Sequence, residues 1–217
     1  MALAIFVVCG VVPCTAQGPL ESQASKESAD RKSTPDKLTL MPHSRWLEEH
    51  ERSSPSGIDL RVTSQASNEE SLTKLIDRPT AVTFFYTRCT NARKCCSAIG
   101  QLESLNQRLI DSEIDARLLA ITFEPHYDTP DRLRDYGESM GVHFSDRMRM
   151  LQVNLGKQHE LTKALDIPVS YQNGWVSMHG IALILFDRQG RFVRRYHTTM
   201  WDNDDVFRDL QRLAEEK

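Results

Sequence analysis

Three cysteines and one histidine carry the chemistry that this sequence can most readily perform. Cys89, Cys95 and Cys96 follow the pattern C-x5-C-C, and His179 lies much later, in a Met-His-Gly motif. A thiolate attacks disulfides and binds soft metal ions, and an imidazole is a ligand of intermediate softness. These residue types indicate either a redox-active thiol pair or a site for a metal such as copper.

The cysteines are predicted to lie where a strand turns into a helix. Thr80 to Thr87 is a β-branched and aromatic run, apolar on both faces, which is typical of a central strand. From Cys96 to Ile110 the apolar residues recur with helical spacing. The N-terminus of a helix stabilises a thiolate, and Cys95 is nearest to it. Cys96 is about 100° further around the helix, so we expect Cys89 and Cys95 to form the working pair.

The remainder of the chain, from Ile58 onwards, alternates between predicted strands and helices. The elements are a second buried strand (Ala116 to Phe123), a helix that begins at Thr129 and Pro130 and ends at Gly141, a short helix (Lys157 to Leu165), a hairpin (Ile181 to Phe186 and Arg191 to Tyr196) and a last helix beginning at Asp202 or Asn203. Strand, helix, strand and helix followed by a hairpin and a helix is the thioredoxin-like order. We therefore predict a thioredoxin-like α/β sandwich of three layers.

In this topology the start of the strand Ile181 to Phe186 faces the cysteine turn, and His179 stands directly before that strand. Thiol reductases of this fold usually hold a cis-proline there. Two thiolates and one imidazole form a soft, three-coordinate site that suits Cu(I) and tolerates Cu(II). A structural zinc site would need a fourth protein ligand, and none is evident from the sequence. A plain disulfide between Cys89 and Cys95 is the alternative that these residues leave open.

Three motifs in order resemble those of the Sco/SenC family. They are Phe-Phe-Tyr-Thr-Arg-Cys at Phe84 to Cys89, Glu-Pro-His-Tyr-Asp-Thr-Pro at Glu124 to Pro130, and Met-His-Gly before an apolar strand that ends in Asp187. The resemblance covers about Ile58 to Lys217. It implies copper held by Cys89, Cys95 and His179. It also implies a partner, the copper-site subunit of cytochrome c oxidase or another copper or thiol protein. The chain would deliver copper to the dinuclear copper site of the oxidase or keep its cysteines reduced.

The chain departs from the usual family pattern in three ways. The usual spacing is C-x3-C with proline after the first cysteine, whereas Thr90 stands here within C-x5-C. The usual aspartate of the D-x3-D-T-P motif is Glu124, for which a solvated carboxylate and a role at the site both remain open. Cys96 is additional, and of three interpretations, a resolving thiol, an alternative metal ligand and a small buried apolar side chain, we favour the last. The alternative function is an exported thiol–disulfide oxidoreductase without a metal role. The wide spacing of the thiols argues against it, because closely spaced thiols exchange most readily.

The N-terminal segment differs from the rest of the chain. Ala2 to Val12 is almost entirely apolar but shorter than the roughly 20 residues that span a bilayer, and Ala16 offers a small residue for cleavage. We interpret residues 1–16 as a signal peptide or membrane-targeting segment, residues 17–57 as a polar linker and residues 58–217 as the domain. Gln17 to Lys37 has too few large apolar residues to fold, so we expect a disordered tether. We therefore expect an exported protein, periplasmic or membrane-anchored and facing the periplasm.

The composition argues against a nucleic-acid partner. The net charge is −3 and the pI is about 6.2, so no basic surface is expected. Of the five cysteines, Cys9 and Cys14 belong to the targeting segment, which leaves an odd number in the domain. An odd number does not form a simple framework of structural disulfides, so at least one thiol is free or functional.

Overall fold

A mixed β-sheet with helices on both faces forms the domain. The structure, a computed structural model, describes residues 44–154, 156–197 and 201–216. The strands are β1 Arg61–Ser64, β2 Glu69–Ser71, β3 Thr80–Phe85, β4 Arg117–Thr122, β5 Met148–Val153, β6 Val169–Gln172, β7 Trp175–His179, β8 Leu183–Phe186 and β9 Phe192–Tyr196. The helices are α1 Leu72–Leu75, α2 Ser97–Asp111, α3 Pro130–Ser139, α4 Gln158–Ala164 and α5 Asn203–Glu215. The predicted targeting segment and the tether up to residue 43 lie outside the described residues.

The strand order positions the two halves of the site next to each other. The main sheet has the order β2-β1-β5-β4-β3-β8-β9, and β6 and β7 form a separate hairpin. Strands β3, β4 and β5 run parallel, whereas β8 is antiparallel to β3, with Thr83 opposite Leu183. The start of β8 therefore lies at the carboxyl end of β3. As a result, the segment before β8 meets the loop that leaves β3.

The central strand is buried on both of its faces. Ala81 and Phe85 belong to a core shared with α2, α3 and α5, whereas Val82 and Phe84 belong to a core shared with α1 and α4. Successive side chains of a strand point to opposite faces, so an apolar run of this kind needs a helical layer on each side. The thioredoxin-like three-layer sandwich predicted from the sequence is thus confirmed.

Residues 44–53 lie against the edge strand β9. Ser44 N donates to Arg195 O at 2.7 Å, and Phe192 N donates to Ser53 O at 2.9 Å. The buried guanidinium of Arg52 contacts Asp187 at 3.4 Å and also the carboxylate of Glu216. The last part of the segment that the sequence suggests as a linker is therefore packed onto the domain. Polar composition did not indicate this, because a buried arginine holds the segment.

The predicted helices and strands around the site are present, with small shifts at their ends. Thr129 caps α3 as predicted, since its hydroxyl accepts from Arg132 N at 3.4 Å. The structure adds β1, β2, β5 and the β6–β7 hairpin, which the apolar pattern did not indicate. No helix in the described part of the chain has the length and apolar character that a membrane-spanning segment requires.

Candidate metal centre

Cys89 lies in the loop after β3, and a buried carboxylate holds that loop. Cys89 N donates to Tyr86 O at 3.2 Å. Thr87 donates from its backbone N–H and its hydroxyl to the carboxylate of Asp128, at 3.2 and 2.5 Å. Asp128 is fully buried and also accepts from the hydroxyl of Thr122 on β4. Asp128 therefore ties the cysteine loop to the neighbouring parallel strand.

Cys95 lies in a π-helical turn, Ala92–Cys96, that leads into α2. Its side chain is fully buried in the core between the sheet and α2. A π-helical turn is wider than an α-helical turn. The π-helical turn before α2 accommodates the extra residues of the C-x5-C spacing, and Cys95 still faces Cys89.

A β-bulge in the β6–β7 hairpin directs His179 inwards. The register shifts between Ser170 and Tyr171, so that Ser177 is an extra residue of β7. Side chains alternate between the faces of a regular strand, and one extra residue reverses the alternation beyond it. His179 is accordingly 7% exposed and Met178 is 51% exposed. If Ser177 were paired regularly with Ser170, Met178 would take the inward position instead.

The structure brings Cys89, Cys95 and His179 together. One ligand atom from each lies within 4.8 Å of the others, and this is the only group of three such side chains in the described part of the chain. The cysteines are free thiols. In a trigonal site, bonds of about 2.2 Å place the donor atoms about 3.8 Å apart, so a small closure suffices for all three to reach one ion. The donor set of two sulfurs and one nitrogen suits a soft ion.

Aromatic rings and one hydrogen bond orient the imidazole. The ring of Tyr86 meets His179 edge to face, with centroids 5.4 Å apart, and the ring of Phe123 lies at 5.2 Å. Nδ1 of His179 is 3.2 Å from the carbonyl oxygen of Gly180. We assign the proton to Nδ1, which donates to that oxygen and leaves the Nε2 lone pair available to a metal.

The two thiols of the cluster differ strongly in acidity. Hydrogen bonding from the Cys95 thiol is the main cause that lowers the pKa of Cys89, to about 3. The same hydrogen bond, together with burial, raises the pKa of Cys95. The metal-free cluster therefore holds one thiolate and one thiol. The prediction that the helix N-terminus favours the thiolate at Cys95 is wrong, because Cys95 is buried and Cys89 receives the hydrogen bonds.

Glu124 joins the cysteine loop to the histidine hairpin. Its Oε2 accepts from Arg88 Nε at 2.8 Å, and its Oε1 accepts from Val176 N at 2.9 Å. The side chain of Glu124 is 3% exposed. The guanidinium of Arg88 is stacked between the rings of Tyr127 and Trp175, 3.9 and 3.4 Å from their centroids. Of the two interpretations open from the sequence, the solvated carboxylate is wrong, and Glu124 supports the site.

Cys96 lies outside the cluster. Its sulfur accepts from the hydroxyl of Tyr136 at 3.8 Å, and its side chain is half-buried. The interpretation of Cys96 as a small buried apolar residue is therefore wrong in part. The sequence could not indicate the contact, because Tyr136 comes from the distant helix α3.

Comparison with known proteins decides the family. A family model described as SCO1/SenC matches residues 48–215. The chain belongs to the SCO1/SenC family. No curated protein matches its sequence. A solved structure of a SCO1/SenC family lipoprotein from Bacillus anthracis is 20% identical with a TM-score of 0.63, covering 74% of this chain and 98% of that one.

Two further Sco structures have the same fold. BsSco, described as a Sco family member of cytochrome c oxidase assembly with a disulfide switch, is 19% identical with a TM-score of 0.63, covering 76% of this chain and 98% of that one. ScoI of Bradyrhizobium japonicum, solved with copper bound, is 20% identical with a TM-score of 0.56, covering 71% of this chain and 96% of that one. At these identities the likeness between this SCO1/SenC chain and the solved structures shows the fold alone.

Proposed function

We propose that this chain is a copper-binding protein of Sco type that holds copper through Cys89, Cys95 and His179. The observation that carries the proposal is the meeting of these side chains, with ligand atoms within 4.8 Å of one another. The copper-bound ScoI of Bradyrhizobium japonicum, a protein of the same fold, supports the choice of metal. The donor set supports it independently, because two sulfurs and one imidazole favour copper over a hard ion.

The cluster is asymmetric, and this asymmetry suggests how copper enters and leaves. Cys89 is half-buried, whereas Cys95 and His179 are buried. The Cys89 thiolate is therefore the first ligand that an incoming ion or a partner's thiol meets. Cys95 has to release its proton before it binds, so loading the site releases one proton to solvent. Because only one side of the cluster is open, a partner's ligands replace those of the protein from the Cys89 side.

We propose that the recipient is the dinuclear copper site of cytochrome c oxidase; the description of BsSco as a cytochrome c oxidase assembly protein supports the choice of the oxidase. The same thiols would also keep the recipient's cysteines reduced. The Cys89 thiolate attacks the recipient's disulfide and forms a mixed disulfide, and Cys95 then displaces the recipient's second sulfur. The products are a Cys89–Cys95 disulfide and two recipient thiols, one protonated by Cys95 and the other by water.

We propose export as well, with residues 1–16 as the targeting segment, the following polar residues as a tether, and the folded domain in the periplasm, free or membrane-anchored. The lipoprotein description of the Bacillus anthracis structure supports this placement. Fractionation of cells that carry the full chain tests it. Recovery of the protein with the cytoplasmic fraction would contradict the proposal.

Copper titration of the reduced protein tests the function. We expect one equivalent of tightly bound copper, its loss in Cys89→Ser and Cys95→Ser, and a larger loss of Cu(II) than of Cu(I) in His179→Ala. Cys96→Ser is the matched control and should bind copper as the parent protein does, since Cys96 lies outside the cluster. A protein that binds no copper but reduces disulfides would instead support the thiol–disulfide oxidoreductase.

A further inference from the structure

A cleft of about 320 Å³ opens beside the metal centre. It lies between the loop after β4, the start of α4 and the β6–β7 hairpin. The residues that matter for its chemistry are Phe123, Glu124, Tyr127, Gln158, His159 and Tyr171. Phe123 also forms part of the wall around His179. The cleft and the cluster therefore share a side chain, and a group bound in the cleft lies next to the cluster.

The amide of Gln158 is the unusual group in the wall of this cleft. The residue is 7% exposed, and neither Nε2 nor Oε1 has a hydrogen-bond partner among the residues that the structure describes. Buried polar groups of proteins are nearly always paired, so such an amide calls for a partner. It offers both donors and an acceptor. The group that matches it is another amide, as in a peptide backbone.

The rest of the cleft is suited to an apolar side chain. Its aromatic residues are Phe123, Tyr127 and Tyr171, and the hydroxyl of Tyr171 is already donated to Phe123 O at 2.8 Å. The hairpin beside the cleft also exposes Trp175 by 56% and Met178 by 51%. Exposed aromatic and methionine side chains around a pocket are typical of protein-binding surfaces, where a few anchors carry most of the affinity.

The charge of the neighbouring cysteine loop indicates which kind of protein binds. Residues 87–96 include Arg88, Arg93 and Lys94 and contain no aspartate or glutamate. Arg88 is paired with Glu124, which lies outside the loop, so the loop itself carries three basic side chains and no acidic one. A positive border beside an apolar pocket attracts and orients a partner with acidic side chains.

We propose that this cleft is the docking site for the protein that exchanges copper with the cluster. An acidic partner inserts a peptide segment with an apolar side chain among the aromatic rings, and its backbone amide pairs with Gln158. This inference rests on the proposed copper function and names the surface through which that function is exercised. Docking here holds the partner beside Cys89, the accessible ligand of the cluster.

A small probe tests the cleft without a partner protein. The full chain, labelled with ¹⁵N, reduced and free of copper, is titrated with N-acetylphenylalaninamide, which carries one aromatic side chain and two amides. The Gln158 side-chain NH₂ signal, assigned by its loss in Gln158→Leu, should shift saturably. Binding should be about fivefold weaker in Gln158→Leu, since one neutral hydrogen bond is lost. It should be lost in His159→Trp, because the larger ring fills the cleft.

His50→Trp is the matched control, because His50 is an exposed histidine that does not line the cleft. It should bind the probe like the parent protein. N-acetyl-Asp-Phe-amide should bind more tightly than N-acetyl-Lys-Phe-amide, because the loop is basic. The reverse order would overturn the acidic partner. A titration without a saturable shift would overturn the docking site, and this is also the result expected if this chain's own residues fill the cleft. Equal binding of the probe by His159→Trp and the parent would overturn it as well.

Copper measurements on the same samples separate this proposal from the function on which it rests. His159→Trp should bind copper like the parent but transfer it more slowly to the soluble copper-site domain of cytochrome c oxidase, whereas His50→Trp should transfer it at the parental rate. Equal transfer by all three proteins would overturn the docking site and leave the copper function standing. Failure of the parent to bind copper would instead overturn the function.

Discussion

Replacement of Glu124 should loosen the contact between the cysteine loop and the histidine hairpin. Its carboxylate accepts from Arg88 Nε at 2.8 Å and from Val176 N at 2.9 Å, and its side chain is 3% exposed. Glu124→Ala removes both acceptors and leaves the Arg88 charge without its partner. Glu124→Gln keeps an oxygen for Val176 N and loses only the charged contact.

The expected magnitudes follow from these contacts. Removal of one partner of a buried ion pair costs about 3–5 kcal/mol. The side chain of Arg88 is 18% exposed and can recover some hydration, so we expect the lower end, about 3 kcal/mol, for Glu124→Ala. For a protein of this size that corresponds to a fall in Tm of about 6–12 °C. Glu124→Gln should lose about 1.5–2 kcal/mol, the lower part of the range for a hydrogen bond to a charged group, because Arg88 is partly exposed.

Urea unfolding of the reduced, copper-free protein measures these losses, and a competition titration measures copper affinity. Copper affinity should fall in the order parent, Glu124→Gln, Glu124→Ala. The reason is that Glu124 joins the cysteine loop to the hairpin that carries His179, and so sets the position of His179 relative to the sulfurs. Glu160→Ala is the control, since Glu160 forms an exposed pair with Lys157 and its loss should change stability by less than about 0.5 kcal/mol. A Glu124→Ala protein as stable as this control, with parental copper affinity, would refute the reasoning.

Two further predictions concern the ligands themselves. Because hydrogen bonding lowers the pKa of Cys89 to about 3, its alkylation by iodoacetamide in the metal-free protein should proceed at a constant rate from about pH 5 to 8, with Cys95 unmodified. Peptide mapping checks this, and a rate that rises about tenfold per pH unit, as for an unperturbed thiol, would disprove it. Deletion of Ser177 should remove the bulge but leave Met178 opposite Ser170 and His179 opposite Val169, because Ser177 is the extra residue that has no partner on β6, so Cu(II) binding should be largely retained. Cu(II) absorbance measures it, and loss of Cu(II) binding in this variant would contradict the assignment of Ser177 as the extra residue.

The parts of the fold that the sequence predicts are those with strong apolar periodicity. Strand β3 is buried on both faces and α2 on one, so the burial of each leaves a pattern in the chain. The β6–β7 hairpin has no such pattern, because most of its side chains, including those of Trp175 and Met178, are exposed. Sequence reasoning therefore placed His179 before a strand, whereas it is the last residue of β7.

The membership of the candidate site was easier to predict than its electrostatics. Cys89, Cys95 and His179 were identifiable because thiols at a strand–helix turn and an imidazole before the facing strand are distinctive. The direction of the pKa difference between the thiols depends on burial and on a hydrogen bond that spacing does not reveal. The role of Glu124 depends on a contact with Val176, 52 positions away, and only the folded chain shows it.

X-ray absorption of the copper(I)-loaded, reduced protein tests the central claim most directly, because it counts the atoms bound to the metal. The account predicts two sulfur neighbours and one nitrogen neighbour in the parent protein, one sulfur in any copper that remains in Cys95→Ser, and no imidazole nitrogen in His179→Ala. A spectrum with fewer than two sulfur neighbours in the parent, or one that Cys95→Ser leaves unchanged, would contradict it.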